Sequence, residues 1–352
     1  MNVETLSTAG AALAAFAAVW TVVGVVRAVS LRRGILDVPN ERSLHERPVP
    51  RGGGIAIVAI VVIAIGSSSS ARALFGGHGV ALIVIGLVSL AGVSLYDDLR
   101  TANIAVRLTV QMGAAVFALT AINAAGHMRG VQGPEHPLLT NAIAAVWIVG
   151  FTNVYNFMDG IDGLAGLQAV IAGLGWAIIS LGAGVPLLGA LGLLIAAADA
   201  GFLAHNWPPA RIFMGDVGST GLGYLFALMV IYAGWSESTL GLAGILLVWP
   251  FIFDGGFTIL RRLRHRQNVF VAHRTHLYQR LVLSGWPHKR VSSLYGFLAI
   301  VGVVCAVLVS RGGSLGAGIT TLTLIGAATM LLITVSRSES AASNCLAGEC
   351  SR

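Results

Sequence analysis

This chain is poor in charged residues. Asp, Glu, Lys and Arg together make up 11% of its 352 residues, against about 25% in soluble domains. With 56% hydrophobic residues, there is too little polar surface to cover a soluble core, and the chain reads as a polytopic membrane protein. Cysteine is scarce as well. Cys305 lies in an apolar run and Cys345 and Cys350 in a polar tail, which gives no disulfide framework. Strand-like alternation is missing too. The apolar runs are solid, which excludes a barrel and leaves helices as the spanning form.

What is there, in quantity, is hydrophobic length. Runs of roughly 20 apolar residues meet the criterion for a membrane span, and the sequence predicts eleven: 7–29, 53–71, 79–96, 104–123, 139–155, 164–183, 185–203, 219–235, 240–259, 293–310 and 316–335. The expected fold is therefore all-α, a membrane domain over 1–336 followed by a short polar tail over 337–352. Basic residues set the orientation. With the N-terminus outside and the C-terminus inside, every Lys and Arg except Arg72, Arg129 and Arg311 falls on the inner side, as the positive-inside rule requires. Glu4 precedes a long first span with no basic stretch before it, so a cleaved leader is not expected. The formal charge of +7 then reports inner loops facing anionic lipid or an anionic substrate, without nucleic acid.

Against this apolar background, one stretch concentrates polar groups: TNVYNFMDGIDGL, Thr152 to Leu164. It sets Asn153, Asn156, Asp159 and Asp162 three residues apart, and its Asp-Gly pairs favour a helix end breaking into a tight loop. The same pattern suits a plain turn or a loop that approaches a ligand. Elsewhere, Asp97 and Asp98 end the third span, where two carboxylates oppose the helix macrodipole. Arg100, Arg107, a metal ion or a shared proton would compensate them, and a raised pKa would suit a general base. The loop Arg32–Gly54 carries Arg42, His45, Arg47 and Arg51 with three prolines and ends in three glycines, which serves equally as a basic anchor or a phosphate cradle at a helix start. Gly215 and Gly218 flank Asp216 before the eighth span, where Asp216 and Ser219 either cap the helix or bind a ligand. Asp199 lies within the seventh span and is expected to be functional or paired inside the bundle, and Asp254 sits near the inner end of the ninth span. The basic block from Arg261 onward ends in Ala272-His273-Arg274-Thr275-His276, which could attach to lipid or neutralise a pyrophosphate.

Topology unites these pieces. In the assigned orientation Asp97, Asp98, Asp159, Asp162, Asp216, His273 and His276 all fall on the inner face, although four loops supply them. Acidic and basic groups gathered at one face suit a Mg²⁺-dependent enzyme acting on a diphosphate, since Mg²⁺ takes one or two carboxylates together with substrate phosphates and water. A secondary transporter is the rival from another class, but it would carry such charges near the bilayer midplane.

Taken in order, the motifs resemble the polyprenyl-phosphate N-acetylhexosamine-1-phosphate transferases, glycosyltransferase family 4. The likeness runs through Pro48 to Gly54, Tyr96-Asp97-Asp98, Asn153-x-x-Asn156-x-x-Asp159-Gly160-x-Asp162-Gly163, Asn206-x-x-Pro209-Ala210, Phe213-Met214-Gly215-Asp216-Val217-Gly218-Ser219 and His273-Arg274-Thr275-His276. It implies ten or eleven helices in a bacterial inner membrane and a cytoplasmic site using Mg²⁺, with Mn²⁺ as a substitute. The implied reaction transfers a sugar 1-phosphate from a UDP-sugar to undecaprenyl phosphate, releases UMP and starts a lipid-linked glycan such as O-antigen. By the same resemblance Asp216 is a metal ligand, Asp97 the base beside Asp98, and Asp159 and Asp162 shape the metal and nucleotide site. Asn206 and Phe213 would form the uridine pocket, and His273, Arg274 and His276 would meet the diphosphate or sugar. Arg51, Asn153 and Asn156 complete the implied substrate contacts. Phospho-MurNAc-pentapeptide translocase is the alternative within the family, and a homodimer is left open. Two departures stand out. Thr101 occupies a position where the family often has a charged residue, and the His273–His276 run is more similar to the branch acting on 6-deoxy-N-acetylhexosamines.

Overall fold

The computed structural model describes residues 3–39, 43–128, 136–268 and 274–346. The architecture is all-helical. A long α1 (Val3–Arg33) leads into a two-residue antiparallel ribbon, β1 (Leu36–Asp37) against β2 (Val49–Pro50), with Leu36 opposite Pro50. There follow α2 (Gly54–Ser67), α3 (Ser69–Leu99), α4 (Ile104–Met128), α5 (Pro137–Met158), α6 (Leu164–Ala183), α7 (Pro186–Asn206) and α8 (Asp216–Ser236). The chain closes with α9 (Ser238–Leu247), α10 (Trp249–Arg264), α11 (Leu277–Leu283), α12 (His288–Ser310) and α13 (Ser314–Leu346).

Helix α8 is the axis. Every residue from Val217 to Val230 is buried, the all-round apolar character of a helix enclosed by other helices. It approaches α2 without intervening side chains. A Cβ on Gly54 would overlap Gly218 Cα, and one on Gly221 would lie 2.7 Å from Val58 Cγ2, so the two helices run side by side in the same direction. The outer helices differ: α1 leaves Leu13, Trp20 and Val25 exposed and α13 leaves Leu322 and Met330 exposed, as lipid-facing surfaces do.

Among the described residues, nine helices are long and apolar enough to span a membrane. The chain is thus a multi-pass membrane protein, and two of the eleven expected spans take other forms. The run 240–259 is broken into α9 and α10, bent by 74° at Val248, because Pro250 has no N–H to continue the helical ladder and suits only the first turn of a new helix. The run 53–71 yields α2, a helix of only 14 residues, about 21 Å long against a hydrocarbon core of about 30 Å. The expected span 79–96 is extended in α3, whose early turns break at Gly76, φ 67° and ψ 168°. Residues 337–346 continue α13, where Glu339 holds Arg280 of α11 through two contacts of 2.6 and 2.7 Å. Cys350 and the Cys345 side chain lie outside the described residues.

Gly54→Ala is expected to destabilise the protein by about 1–3 kcal/mol through overpacking, read as a lower melting temperature in detergent. Gly92→Ala, with open space around it, is expected to leave the melting temperature unchanged or raise it.

Candidate active site

The site begins where two loops clamp together. The Phe213 N–H donates to Pro50 O at 2.8 Å, Gly53 N–H to Phe213 O at 3.0 Å and Gly54 N–H to Met214 O at 2.9 Å. This fixes Arg51 beside the end of α3. Its guanidinium lies 2.9 Å from Asp98 Oδ1 and donates to Asp98 O at 3.1 Å. Gly215 then turns with φ 77°, and a Cβ there would stand 2.8 Å from Asp98 Oδ2. Only glycine meets both demands. The Asp216 N–H that follows donates to Asp98 Oδ2 at 3.2 Å, at the N-terminus of α8, where a negative charge is favoured.

Arg107, on the first turns of α4, completes the cluster. It pairs with Asp97 and lies 3.9 Å from Asp216 Oδ2, while the Ala102 N–H donates to Asp97 Oδ1 at 2.7 Å. The adjacent carboxylates at the C-terminal end of α3 are therefore compensated separately, Asp97 by Arg107 and Asp98 by Arg51. Asp159 is not compensated in this way. It is the cap residue of α5, with no hydrogen bond or ion pair to its carboxylate among the described residues. Burial, with the charges of Asp216 and Asp98 adding, pushes the Asp159 carboxyl well above the usual carboxylate range, and Arg51 opposes the shift.

The polar groups around Asp159 are committed to holding the loop. Asp162 Oδ2 accepts from the Ala210 N–H at 2.9 Å, its Oδ1 lies 3.3 Å from His288 Nδ1, and its carbonyl accepts from Ser292 Oγ. Asn206 Oδ1 accepts from the Gly163 N–H and its Nδ2 donates to Ile212 O, each at 2.9 Å. Asn156 Oδ1 accepts from Ser219 Oγ at 2.6 Å, and Asn153 exchanges amide bonds with Gln111 of α4. These asparagines thus join α5 to α4 and α8, and α7 to the loop before α6.

The basic end sits on a second carboxylate knot. Asp254 accepts from His276 Nδ1 at 3.0 Å, from the Leu277 and Tyr278 N–H groups, and from the Tyr295 and Thr258 hydroxyls. Buried His276 is therefore held by α10 at the start of α11. Tyr278 carries the link to the aspartate loop, donating to Phe157 O at 2.9 Å and lying where a Cβ on Gly160 would overlap its hydroxyl. Arg274 donates to Ser43 O, and His45 meets Phe213 edge-on at 4.9 Å. His273 lies outside the described residues. Asp199 stands apart, fully buried in α7 with no hydrogen-bond partner to either carboxylate oxygen among the described residues.

Contacts thus join Asp97, Asp98, Asp216, Arg51 and Arg107 directly, with Asp159 in electrostatic range. Gln111, His288 and Tyr278 were not singled out as site residues from sequence; nothing in their spacing separates them from ordinary core or helix-end residues. Among the described residues no three His, Cys, Asp or Glu side chains are gathered into a metal cage. Mg²⁺ needs only one or two carboxylates, with phosphate oxygens and water completing its shell. Asp216 and Asp159, the two least compensated carboxylates of this cluster, are hard oxygen donors that fit such an ion.

Residues 80–234 match the family model described as Glycosyl transferase family 4, a stretch holding Asp97, Asp98, Asp159, Asp162 and Asp216. An undecaprenyl-phosphate alpha-N-acetylglucosaminyl 1-phosphate transferase of Thermotoga maritima is 30% identical over 251 residues, covering 70% of this chain and 74% of the relative. The chain belongs to glycosyl transferase family 4. This family 4 chain is also similar to a probable undecaprenyl-phosphate N-acetylglucosaminyl 1-phosphate transferase of Bacillus subtilis, 29% identical over 80% of the chain and 79% of the relative. A phospho-N-acetylmuramoyl-pentapeptide-transferase of Lacticaseibacillus paracasei is 29% identical over 71% of the chain and 80% of the relative. The family 4 match ends before Asp254 and His276, so their mutual geometry is information the structure adds.

Asn206→Ala leaves the Gly163 N–H and the Ile212 carbonyl unpaired, at about 1–3 kcal/mol for each buried group. It is expected to lower the melting temperature clearly, a loss that a residue serving only as a ligand contact would not produce.

Proposed function

We propose that the protein transfers an N-acetylhexosamine-class sugar 1-phosphate from a UDP-sugar to undecaprenyl phosphate, releasing UMP, to start a lipid-linked cell-envelope glycan such as O-antigen. The observation that carries this reading is the convergence of Asp98, Asp216, Arg51 and Arg107 at one end of the bundle, from four separate segments. Similarity to polyprenyl-phosphate sugar-1-phosphate transferases supports the reaction class. The distribution of arginines supports placing this end on the cytoplasmic side of a bacterial inner membrane, with about eleven crossings. Short α2 counts as a crossing because it runs beside α8 from its start, and the bent α9–α10 pair counts as another.

In the proposed reaction a lipid phosphate oxygen attacks the β-phosphorus of the UDP-sugar and the anhydride bond to UMP breaks. One phosphoanhydride replaces another, so the exchange is readily reversible. Asp97, held in place by Arg107 and the Ala102 N–H, would accept the proton of the lipid phosphate. Mg²⁺ held at Asp216, with Asp159 beside it, would offset charge on the diphosphate and the leaving UMP. Arg51, Arg274 and His276 supply positive charge or N–H donors around the same anion, with His273 as a further donor. Phe213 with His45 offers an aromatic surface to the uracil. A UDP-linked MurNAc-pentapeptide is the second reading, favoured by the similarity to the Lacticaseibacillus enzyme.

The test is a membrane assay with undecaprenyl phosphate, Mg²⁺ and a panel of UDP-sugars that includes UDP-MurNAc-pentapeptide. One UDP-N-acetylhexosamine is expected to give lipid-linked product and UMP, and Asp216→Asn is expected to lower the rate by about 100-fold or more. No product from any sugar, or equal rates in the variant, would overturn the proposal. Product from the pentapeptide donor alone would move the assignment to the second reading.

A further inference from the structure

The end of the bundle away from the aspartates holds a cavity of about 320 Å³. Its walls are Ala64 and Ile65 of α2, Leu187 and Leu191 of α7, and Leu228 and Tyr232 of α8, with Thr8 of α1 and Ser68 at its edge. The α8 residues lie 12 and 16 positions beyond Asp216, roughly 18–24 Å along the helix axis, so the cavity belongs to the opposite half of the membrane. Its origin is structural. Helix α2 ends after 14 residues and α3 departs from helical geometry at Gly76, so neither fills the space between α1, α7 and α8.

The lining carries no charged side chain, and Ser68 Oγ already accepts from the Ala71 N–H. A space with room for on the order of ten waters needs two to four polar partners for each of them, and an apolar cavity takes hydrocarbon instead. A positive charge adjoins the lining in sequence. Exposed Arg72, next to cavity-lining Ala71, donates to Gly66 O at 2.6 Å and to Ser67 O at 2.9 Å. Those bonds fix its guanidinium at the end of α2. They use two of the five N–H groups that a guanidinium carries, and among the described residues the others have no acceptor, which leaves donors for an anion.

We propose that this cavity binds one chain of an anionic phospholipid from the leaflet opposite the aspartates, with the lipid phosphate against Arg72. The lipid completes the wall that short α2 leaves open, and the site is separate from the one that would take the acceptor lipid.

The test is native mass spectrometry of the full-length protein released from mild detergent, after supply of equal amounts of phosphatidylglycerol and phosphatidylcholine. The wild type is expected to retain one phosphatidylglycerol per chain. Ala64→Phe, which fills the cavity, is expected to lower retention by roughly tenfold or more, and Arg72→Gln to retain lipid without head-group preference. If Ala64→Phe does not fold, Ala190→Phe, also in the lining, carries the same expectation. Equal retention in the wild type and the filled variant would overturn the proposal. So would a wild type that holds no phospholipid, holds both lipids equally, or holds only a polyprenyl phosphate. None of these readouts depends on transferase activity, so failure here is distinguishable from failure of the proposed reaction.

Discussion

Gly54 and Gly218 meet with no side chain between them, and the positions of Arg51 and Asp216 follow from that contact. Because α2 and α8 start side by side, the segments leading into them lie together and clamp through three backbone hydrogen bonds between Pro50–Gly54 and Phe213–Met214. One segment brings Arg51 and the other brings Asp216. Both then address Asp98 at the end of α3. A side chain at either glycine would separate the helices and pull the arginine from the carboxylate it neutralises.

The second constraint is electrostatic. Carboxylates at the edge of a low-dielectric bundle must be paired, protonated or bound to a cation. The chain divides them between these outcomes. Asp97 and Asp98 have arginines, Asp254 has five hydrogen-bond donors, and Asp162 is tied to a backbone N–H and His288. Asp216 has only a distant arginine and Asp159 none at contact distance. Within the cluster the negative charge left over is therefore concentrated on Asp159 and Asp216, which act on each other electrostatically, and the proposed Mg²⁺ and diphosphate chemistry uses it.

Much of this was legible in sequence because membrane spans are long and apolar. The run 164–183 coincides with α6, and Arg107 was recognisable as a partner for the Asp97-Asp98 pair. The break at Val248 was not legible from hydrophobicity, since α9 and α10 form one continuous apolar run and Pro250 acts through a missing hydrogen bond. Nor could sequence distinguish a carboxylate meant for a ligand from one meant for backbone. Asp159 and Asp162 share the same Asp-Gly context, yet Asp162 binds the Ala210 N–H while Asp159 is unpartnered among the described residues. Asn206 was expected at the uridine; in the structure both ends of its amide hold loops together. Asp199 and Asp254 both fall in apolar runs, and only three-dimensional packing separates the one without a hydrogen-bond partner among the described residues from the one with five.

The central claim is that charge compensation assigns the aspartates different tasks, with Asp97 neutralised within the protein and Asp216 open to a divalent cation. Electron paramagnetic resonance of Mn²⁺ titrated into the purified protein with a UDP-sugar tests this directly. The account predicts bound Mn²⁺ in the wild type and in Asp97→Asn, and loss of that bound signal in Asp216→Asn. Loss in Asp97→Asn with full binding in Asp216→Asn would contradict it.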